Sequence, residues 1–434
     1  MPALLESRRA TAALEQSIEN APRPTACEAE DWGETSAYRY TRRRWHLLMR
    51  LVDSFGYWLF RACAAIGRCC GMQDSPRTAP LSILLVQLDH LGDAILTSAV
   101  LPALRREFPK ARIEVLASAA SAEVFRNREE IDCVWVCPRY RYSRDRGWLW
   151  PAAVLYWGWK LRGRFDTAVD IRGELPLALM LWLTGAARRL GWNAGGGGFL
   201  LTESPIYATQ RPEIDSRWAL FRLLGVEPQI KAESLPRWRP TSESLSAMSA
   251  RLEGIRVFGQ PIYLFHLGSG MASKRWPAKY WGELVQRLAE QGPSTVILVG
   301  GDDDRPLARQ VLARVNRPGV TDWTGKTSVT ELVALAEFAD VFVGADSGPA
   351  HLAAAVGVAT LALFSGTNHA PQWQPRGRHV RVLQHAVACS PCHCESCPLA
   401  DHPCMTGLSV DEVLRAVIEI QSEKPPEMRC RISA

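Results

Sequence analysis

Apolar and polar positions along this chain alternate in two recurring patterns. Short runs that are almost wholly apolar fit buried strands, and longer runs with apolar residues on one face fit helices. Strands that alternate with helices predict parallel sheets covered by helices on both faces. The predicted strands fall at 81–88, 112–118, 131–136, 165–171, 262–265, 295–299, 341–343, 360–364 and 380–383, and one predicted helix spans 94–108.

A proline- and serine-containing stretch at 232–260 separates two sets of predicted strands. We therefore divide the chain into an N-terminal extension, two α/β domains of the Rossmann type, and a C-terminal helix with a tail. A length of 434 residues is enough for two large domains and an extension. The predicted boundaries are 1–80, 81–240, 241–408 and 409–434.

Charge and hydropathy narrow the class of protein. The formal net charge of +6 is mild, so no nucleic-acid partner is predicted. No uncharged apolar run reaches the roughly 18 residues expected of a membrane-spanning helix. The first twenty residues lack the apolar core of a signal peptide. These features predict a cytoplasmic protein that is either soluble or held at a membrane surface.

Two segments are candidates for membrane contact. Residues 39–70 combine arginines with apolar residues at helical spacing, which predicts a basic amphipathic helix. Such a helix can lie in the membrane interface, or it can pack on the protein's own core or on a partner. The Trp-rich insert 147–159 is flanked by arginine and lysine, as headgroup-level anchors are, or it is an aromatic helix of the core.

A strand, a tight loop and a helix are predicted around Asp346, Ser347, Gly348 and His351. Ser347 is the predicted N-cap, and Gly348 lets the backbone approach a ligand closely. The free N–H groups and partial positive charge of a helix N-terminus suit a phosphate. The alternative is a well-capped turn that binds no ligand.

A second Gly-rich segment follows the predicted strand 262–265. It contains His266 and Ser269, and the cations Lys274 and Arg275 come directly after it. Lysine is a mobile point charge and arginine a rigid fork, so the pair suits a diphosphate. The alternative is a solvated basic turn. Both segments lie at carboxyl ends of strands, where open α/β sheets bind ligands.

Four segments in this order resemble glycosyltransferase family 9, the ADP-heptose:lipopolysaccharide heptosyltransferase family. They read ILLVQLDHLGDAILTSAVLPALRREFPKARIEVLAS, HLGSGMASKRWPAKYWGELVQRL, WTGKTSVTELVALAEFADVFVGADSGPAHLAAAVG and the ending CSPC…CM. The resemblance covers roughly 81–420. It implies a GT-B fold, in which two Rossmann-like domains face each other across a cleft. It also implies a last helix that crosses back onto the first domain.

The resemblance implies an inverting, metal-independent glycosyltransferase that needs no cofactor. Its donor would be a nucleotide-diphosphate sugar, ADP-heptose by default, and its acceptor a lipopolysaccharide-type or other glycolipid. The expected location is the cytoplasmic face of the inner membrane, reached through the basic helix and the Trp-rich insert. The alternative is a non-catalytic, membrane-associated scaffold of envelope polysaccharide assembly that retains the fold. The presence of Asp93, Lys274 and Asp346 argues against the scaffold.

The resemblance also assigns roles to residues. Asp93, in the segment that matches the family's LGD motif, is the expected general base, although it could simply cap a helix. Asp89 is a candidate second acid, because two close carboxylates raise the pKa of one of them. Lys274 would neutralise the leaving diphosphate. The expected donor-binding residues are His266, Ser269, Arg275, Asp303, Asp346, Ser347, Gly348 and His351; Asp303 would meet the ribose hydroxyls or lie in a solvated turn.

A cysteine cluster lies near the end of the second predicted domain. Its five thiols are enough to supply the four ligands of a structural zinc site. The alternative is a loop of free thiols. The cluster comprises Cys389, Cys392, Cys394, Cys397 and Cys404.

Overall fold

The computed structural model describes residues 43–69, 79–126, 128–138, 140, 150–230, 234–255, 259–315 and 318–423. The polar start of the extension lies outside the described residues, as does the C-terminal tail. So does the first part of the Trp-rich insert. We call 79–230 the first lobe and 234–423 the second lobe.

The first lobe contains a five-stranded sheet in which every neighbouring pair of strands is parallel, in the order β3-β2-β1-β4-β5. The strands are β1 Ser82–Gln87, β2 Arg112–Ser118, β3 Cys133–Cys137, β4 Thr167–Asp170 and β5 Arg188–Gly191. The helices, with the N-terminal one first, are α1 Arg43–Cys69, α2 Leu91–Ser98, α3 Leu101–Glu107, α4 Ala119–Phe125, α5 Trp150–Lys160, α6 Leu175–Leu183 and α7 Glu213–Phe221.

The second lobe contains a six-stranded parallel sheet in the order β11-β10-β9-β6-β7-β8. The strands are β6 Ile262–His266, β7 Thr295–Val299, β8 Val320–Asp322, β9 Val341–Ala345, β10 Ala359–Phe364 and β11 Val380–Gln384. The helices are α8 Ser242–Leu252, α9 Ala278–Glu290, α10 Arg305–Leu312, α11 Val329–Glu337, α12 Gly348–Val356, α13 Ala370–Trp373, α14 Pro403–Thr406 and α15 Val410–Ser422.

All nine predicted strands are present, and the structure adds β5 and β8. These two are short and carry polar residues, so an apolar pattern does not mark them. The single helix predicted at 94–108 is wrong. It is two helices, α2 and α3, and Pro102 lies in the first turn of α3. Proline cannot donate to a preceding turn, which favours a break there.

The two lobes meet through the N-terminal ends of α2 and α12. A Cβ added to Gly92 would lie 3.0 Å from Cδ2 of His351, and one added to Gly348 would lie 3.1 Å from Cβ of Leu91. Glycine at both positions allows the helices to approach this closely. The predicted pair of parallel sheets is confirmed, and the loops that carry the candidate residues face each other at this contact.

The C-terminal helix α15 does not cross back onto the first lobe, so that expectation is wrong for the described residues. It places Val413, Val417 and Ile420 in the apolar cluster that also contains Tyr263 and Trp281 of the second lobe. The apolar stripe of α15 is thus buried against its own sheet. Ser409 accepts a hydrogen bond from the N–H of Glu412 and caps the helix.

The helix α1 lies on the first lobe through one narrow stripe. Met49 packs on Gly196, the Asp53 carboxylate accepts a hydrogen bond from the N–H of Gly197 at 2.7 Å, and Gly56 packs against the ring of Phe199. Among the described residues, no helix is both long and apolar enough to span a membrane. The predicted basic helix therefore exists, and part of it packs on the protein itself.

Candidate active site

Two buried carboxylates follow strand β1. Asp89 lies in the loop between β1 and α2, and Asp93 lies in the first turn of α2. Asp89 is 2% exposed and Asp93 is 6% exposed. The Gln87 amide is fixed by a hydrogen bond from Thr97 and donates to Oδ1 of Asp89. This arrangement brings both candidate acids to the carboxyl edge of the first sheet.

Two arginines that sequence reasoning missed hold these carboxylates. Nη2 of Arg217, on α7, lies 3.0 Å from Oδ1 of Asp93. Nη1 of Arg172, in the loop after β4, lies 3.7 Å from Oδ2 of Asp89 and 3.9 Å from Oδ2 of Asp93. A cation directly after a buried strand was a usable signal for Arg172. Arg217 gave no such signal, since it occurs inside a helix 124 residues from Asp93.

The two carboxylates differ in their proton affinity. Burial, and then the charge of Asp93, raise the pKa of Asp89 to about 7. Burial also raises the pKa of Asp93, but Arg217 and Arg172 outweigh it and hold that pKa below its usual value. Asp93 is therefore ionised at neutral pH, whereas Asp89 is protonated in part of the molecules.

Lys274 and Asp346 form an ion pair at the edge of the second sheet. The Lys274 ammonium lies 2.6 Å from Oδ2 of Asp346, and their side chains are 11% and 8% exposed. The Asn368 amide donates to the same oxygen at 2.9 Å. Lys274 ends a single 3₁₀ turn after β6, and Asp346 follows β9, so two neighbouring strands bring the pair together.

Ser347 and His266 form the next layer of this edge. Ser347 occupies the N-cap position of α12, but its hydroxyl donates to the carbonyl of Ala345 and lies 3.2 Å from Nδ1 of His266. The predicted N-cap position is therefore confirmed, but the Ser347 side chain makes no capping hydrogen bond. Burial lowers the pKa of His266 to about 4, against the opposing charge of Asp304, so this imidazole is neutral at neutral pH.

His351 links the two lobes. Its ring lies in the first turns of α12, beside Gly92. Burial lowers its pKa, while Asp346, Asp93 and a hydrogen bond to the Trp373 backbone act in the opposite direction. His351 is therefore neutral at neutral pH, and it is near enough to Asp93 of the first lobe and Asp346 of the second for both charges to affect its pKa.

Arg275 braces the Gly-rich loop. Its Nε and Nη2 donate to the carbonyl of Ser269 at 3.3 and 3.1 Å.

The acidic turn after β7 places Asp304 rather than Asp303 in the site. Asp304 lies 3.7 Å from Nε2 of His266 and accepts from the N–H of Gly301, while Asp303 is exposed. Sequence reasoning missed Asp304.

The cysteine cluster supports the turn that carries Lys274. The five thiols are free, and no group of three or more His, Cys, Asp or Glu side chains is placed to share a metal ion within the described ranges. The structure therefore gives the zinc interpretation no support. Ser273 donates to the carbonyl of Cys394 and its N–H donates to the carbonyl of Glu395, while Nε2 of His402 lies 2.9 Å from the carbonyl of Ser273.

Comparison with known proteins gives the family of this two-lobed α/β protein. Residues 156–402 match the model of glycosyltransferase family 9 (heptosyltransferase). The chain belongs to this family and is a glycosyltransferase. The resemblance predicted from the four sequence segments is thereby confirmed.

Relatives and solved structures agree with this assignment. The lipopolysaccharide heptosyltransferase 3 of Escherichia coli is 24% identical over 65% of this chain and 83% of its own length. The structure of the E. coli ADP-heptose lipopolysaccharide heptosyltransferase II covers 79% of this chain and 99% of that chain, with 20% identity and a TM-score of 0.64. An E. coli heptosyltransferase solved with ADP covers 78% and 99%, with 17% identity and a TM-score of 0.59. These structures confirm the GT-B fold.

Proposed function

We propose that the protein transfers heptose from ADP-heptose to a lipopolysaccharide-type glycolipid by a single inverting displacement without a metal ion. The observation that carries this proposal is the contact between Gly92, the neighbour of Asp93, and His351, which lies in the helix that follows Asp346, the partner of Lys274. Relatives that are lipopolysaccharide heptosyltransferases support the sugar and the acceptor class, and the relative solved with ADP supports the nucleotide.

In the proposed reaction, an acceptor hydroxyl attacks the anomeric carbon and gives its proton to the Asp93 carboxylate. The bond between that carbon and the diphosphate oxygen breaks, and negative charge develops on the oxygen. Lys274 and the backbone N–H groups at the start of α12 stabilise this charge. Because the hydroxyl attacks from the face opposite the leaving group, the anomeric configuration inverts.

Fixed positive groups supply the charge that a metal ion supplies in other transferases. The arriving diphosphate would compete with Asp346 for the Lys274 ammonium, since both are anions at one cation. The neutral His266 and the braced Ser269 loop would line the donor side without adding charge. Asp304, which lies beside His266, replaces the exposed Asp303 as the candidate acid for the ribose hydroxyls.

A direct test is transfer by the purified protein with ADP-, GDP- and UDP-sugars and lipopolysaccharide from heptose-deficient cells. We expect heptose transfer from ADP-heptose, an inverted anomeric configuration in the product, and unchanged turnover in EDTA. Product mass and NMR report transfer and configuration. Absence of transfer by a folded protein that binds ADP would instead favour the scaffold alternative. A retained configuration would rule out single displacement.

We infer that α1 holds the protein on the anionic cytoplasmic surface of the inner membrane. Leu51, Phe55 and Trp58 lie along its outer side, where they are 70%, 63% and 65% exposed. Exposed arginines at positions 44, 50 and 61 of the same helix match anionic headgroups. Apolar area and charge of this kind suit a bilayer surface.

The Trp-rich helix α5 has one face in the core and one face exposed, so each of the two interpretations of its sequence fits part of it. Val154 and Trp157 are buried in the core of the first lobe, while Tyr156 and Trp159 are exposed. The α1 ring of Phe60 pairs with Trp182 of α6 at 6.3 Å, and α6 packs on α5. These contacts support a single membrane-facing surface formed by α1, α6 and α5.

The loop beneath α1 also contacts the loop that carries Arg172, so the proposed membrane-facing surface lies near Asp93. The loop on which α1 packs contains Gly195, and a Cβ there would collide with the carbonyl oxygen of Gly173. Gly173 follows Arg172, which faces Asp93. Membrane docking through α1 would therefore bring a lipid-anchored acceptor close to the base.

The membrane inference predicts loss of binding when the outer stripe of α1 becomes charged. In flotation with vesicles that contain phosphatidylglycerol, we expect the combined change Leu51→Glu, Phe55→Glu and Trp58→Glu to abolish binding. We also expect high salt to weaken binding by the wild type, because salt screens charges at the surface. The combined change Leu81→Glu, Ile230→Glu and Ile418→Glu adds the same charge at exposed apolar positions outside α1; it is the matched control and should bind like the wild type. Equal flotation of the α1 triple variant would contradict the inference.

A further inference from the structure

A chain of hydrogen bonds runs from the second lobe to the proposed base in the first. Nε2 of Gln372, on the short helix α13, donates to Oε1 of Glu213 at 3.0 Å and to the hydroxyl of Tyr207 at 3.1 Å. Oε2 of Glu213 lies 3.1 Å from Nη1 of Arg217. Nη2 of Arg217 lies 3.0 Å from Oδ1 of Asp93. Three side chains, those of Gln372, Glu213 and Arg217, therefore connect α13 with Asp93 without an interruption.

The middle of this chain is almost completely buried. Glu213 is 1% exposed and Arg217 is 2% exposed. A buried carboxylate needs donors on both of its oxygens, because leaving one unsatisfied costs free energy. Arg217 serves one oxygen of Glu213, while Tyr207 and Gln372 serve the other. Gln372 is the member of this set that comes from the other lobe.

We propose that Gln372 is a positioning residue for the transfer reaction. It fixes Glu213, Glu213 orients Arg217, and Arg217 holds the Asp93 carboxylate in the geometry that accepts the acceptor proton. Because Gln372 belongs to the second lobe, the base is fully oriented only when the two lobes are together. This inference rests on the proposed role of Asp93 as the general base.

The same short helix reaches the base from a second side. The residue after Gln372 is Trp373, whose backbone is hydrogen-bonded to His351. The His351 ring lies against Gly92, the neighbour of Asp93. Movement of α13 relative to the first lobe therefore disturbs both the arginine side and the histidine side of the Asp93 carboxylate.

The kinetic test compares Gln372→Leu with Gln374→Leu. Gln374 is a half-buried glutamine two residues further along, and its side chain lies beside Arg376. We expect Gln372→Leu to lower kcat about tenfold, as for loss of a hydrogen bond to a charged group, with KM for ADP-heptose changed less than about twofold. Gln374→Leu should match the wild type. A kcat for Gln372→Leu within twofold of the wild type would overturn the proposal, as would an equal loss in the control.

An activity-independent measurement separates this proposal from the proposed function. Hydrogen–deuterium exchange of the full chain should show greater uptake at 213–221 and 91–98 in Gln372→Leu, and unchanged uptake there in Gln374→Leu. If the wild type transfers no heptose, the function fails while the exchange result still decides whether Gln372 orders the base region. Unchanged uptake in both segments would refute the relay. Tyr207→Phe, which removes a donor to the same Glu213 oxygen, is the second variant if Gln372→Leu folds poorly.

Discussion

Replacement of Asp93 by asparagine should lower kcat about 10²–10⁴-fold, the usual contribution of a positioned general base. The amide keeps the shape of the side chain but cannot take the acceptor proton. Because Arg217 and Arg172 hold the pKa of Asp93 below its usual value, the wild-type carboxylate is ionised throughout the neutral range. Steady-state rates with ADP-heptose and the lipid acceptor measure the loss.

The matched variant for this prediction is Asp89→Asn. Asp89 has its pKa raised to about 7, so it is substantially protonated near neutral pH and resembles an asparagine more closely than Asp93 does. We expect a much smaller loss of kcat than in Asp93→Asn. ADP should raise the melting temperature of both variants, which shows that the donor side is intact. If Asp89→Asn lost as much activity as Asp93→Asn, the two carboxylates would share the base function.

Replacement of Lys274 by alanine should lower kcat about 10²–10³-fold, by analogy with the loss of one preorganised group that stabilises developing negative charge. The side chain is 11% exposed, so water screens its charge little. The change also leaves Asp346 without its cation, and we expect weaker ADP binding and a lower melting temperature. Single-turnover rates at saturating donor isolate the chemical step from binding.

Lys279→Ala is the control for the Lys274 variant. Lys279 is exposed on α9, where its ammonium lies 4.9 Å from the centre of the Tyr280 ring. Removing this cation changes the net charge equally but leaves the site intact, so kcat should stay within about twofold of the wild type. A Lys274→Ala enzyme with normal single-turnover rates would show that another group stabilises the leaving diphosphate.

Short motifs made much of the site predictable. Asp93, Asp346 and His351 each lie directly after a buried strand or in the first turn of the helix that follows, and Lys274 ends the 3₁₀ turn in the loop after β6. In a parallel sheet such loops meet at one edge. The sequence therefore indicated these residues before any contact was known.

The residues that contact Asp93 directly or through other side chains could not be predicted in the same way. Arg217, Glu213 and Gln372 lie in helices and carry no motif, and Gln372 reaches Glu213 across 159 positions of sequence. Their roles depend on how α7 and α13 pack, which local periodicity does not determine. The same holds for Asp304, which a single 3₁₀ turn directs inward while Asp303 stays outside.

For the N-terminal helix α1, the sequence pattern predicted the helix but not which of its faces packs on the first lobe. Its apolar spacing predicted an amphipathic helix, and the helix is present. The stripe that packs on the first lobe, however, contains Asp53 and Gly56. The Asp53 carboxylate accepts a hydrogen bond from the N–H of Gly197, and the absence of a side chain at Gly56 leaves room for the Phe199 ring. The larger apolar residues Leu51 and Trp58 face outward.

The sequence by itself determined nine of the eleven strands described, the family, and the candidate residues that lie after these strands. Apolar periodicity and strand–loop–helix motifs are local properties, so they can be recognised without knowing how the chain packs. Only the tertiary structure decided which of the two carboxylates has the lower pKa, which face of α1 is exposed, and which distant side chains contact Asp93. These outcomes depend on burial and on contacts between charges that are far apart in the sequence. No single segment of the chain determines either of them.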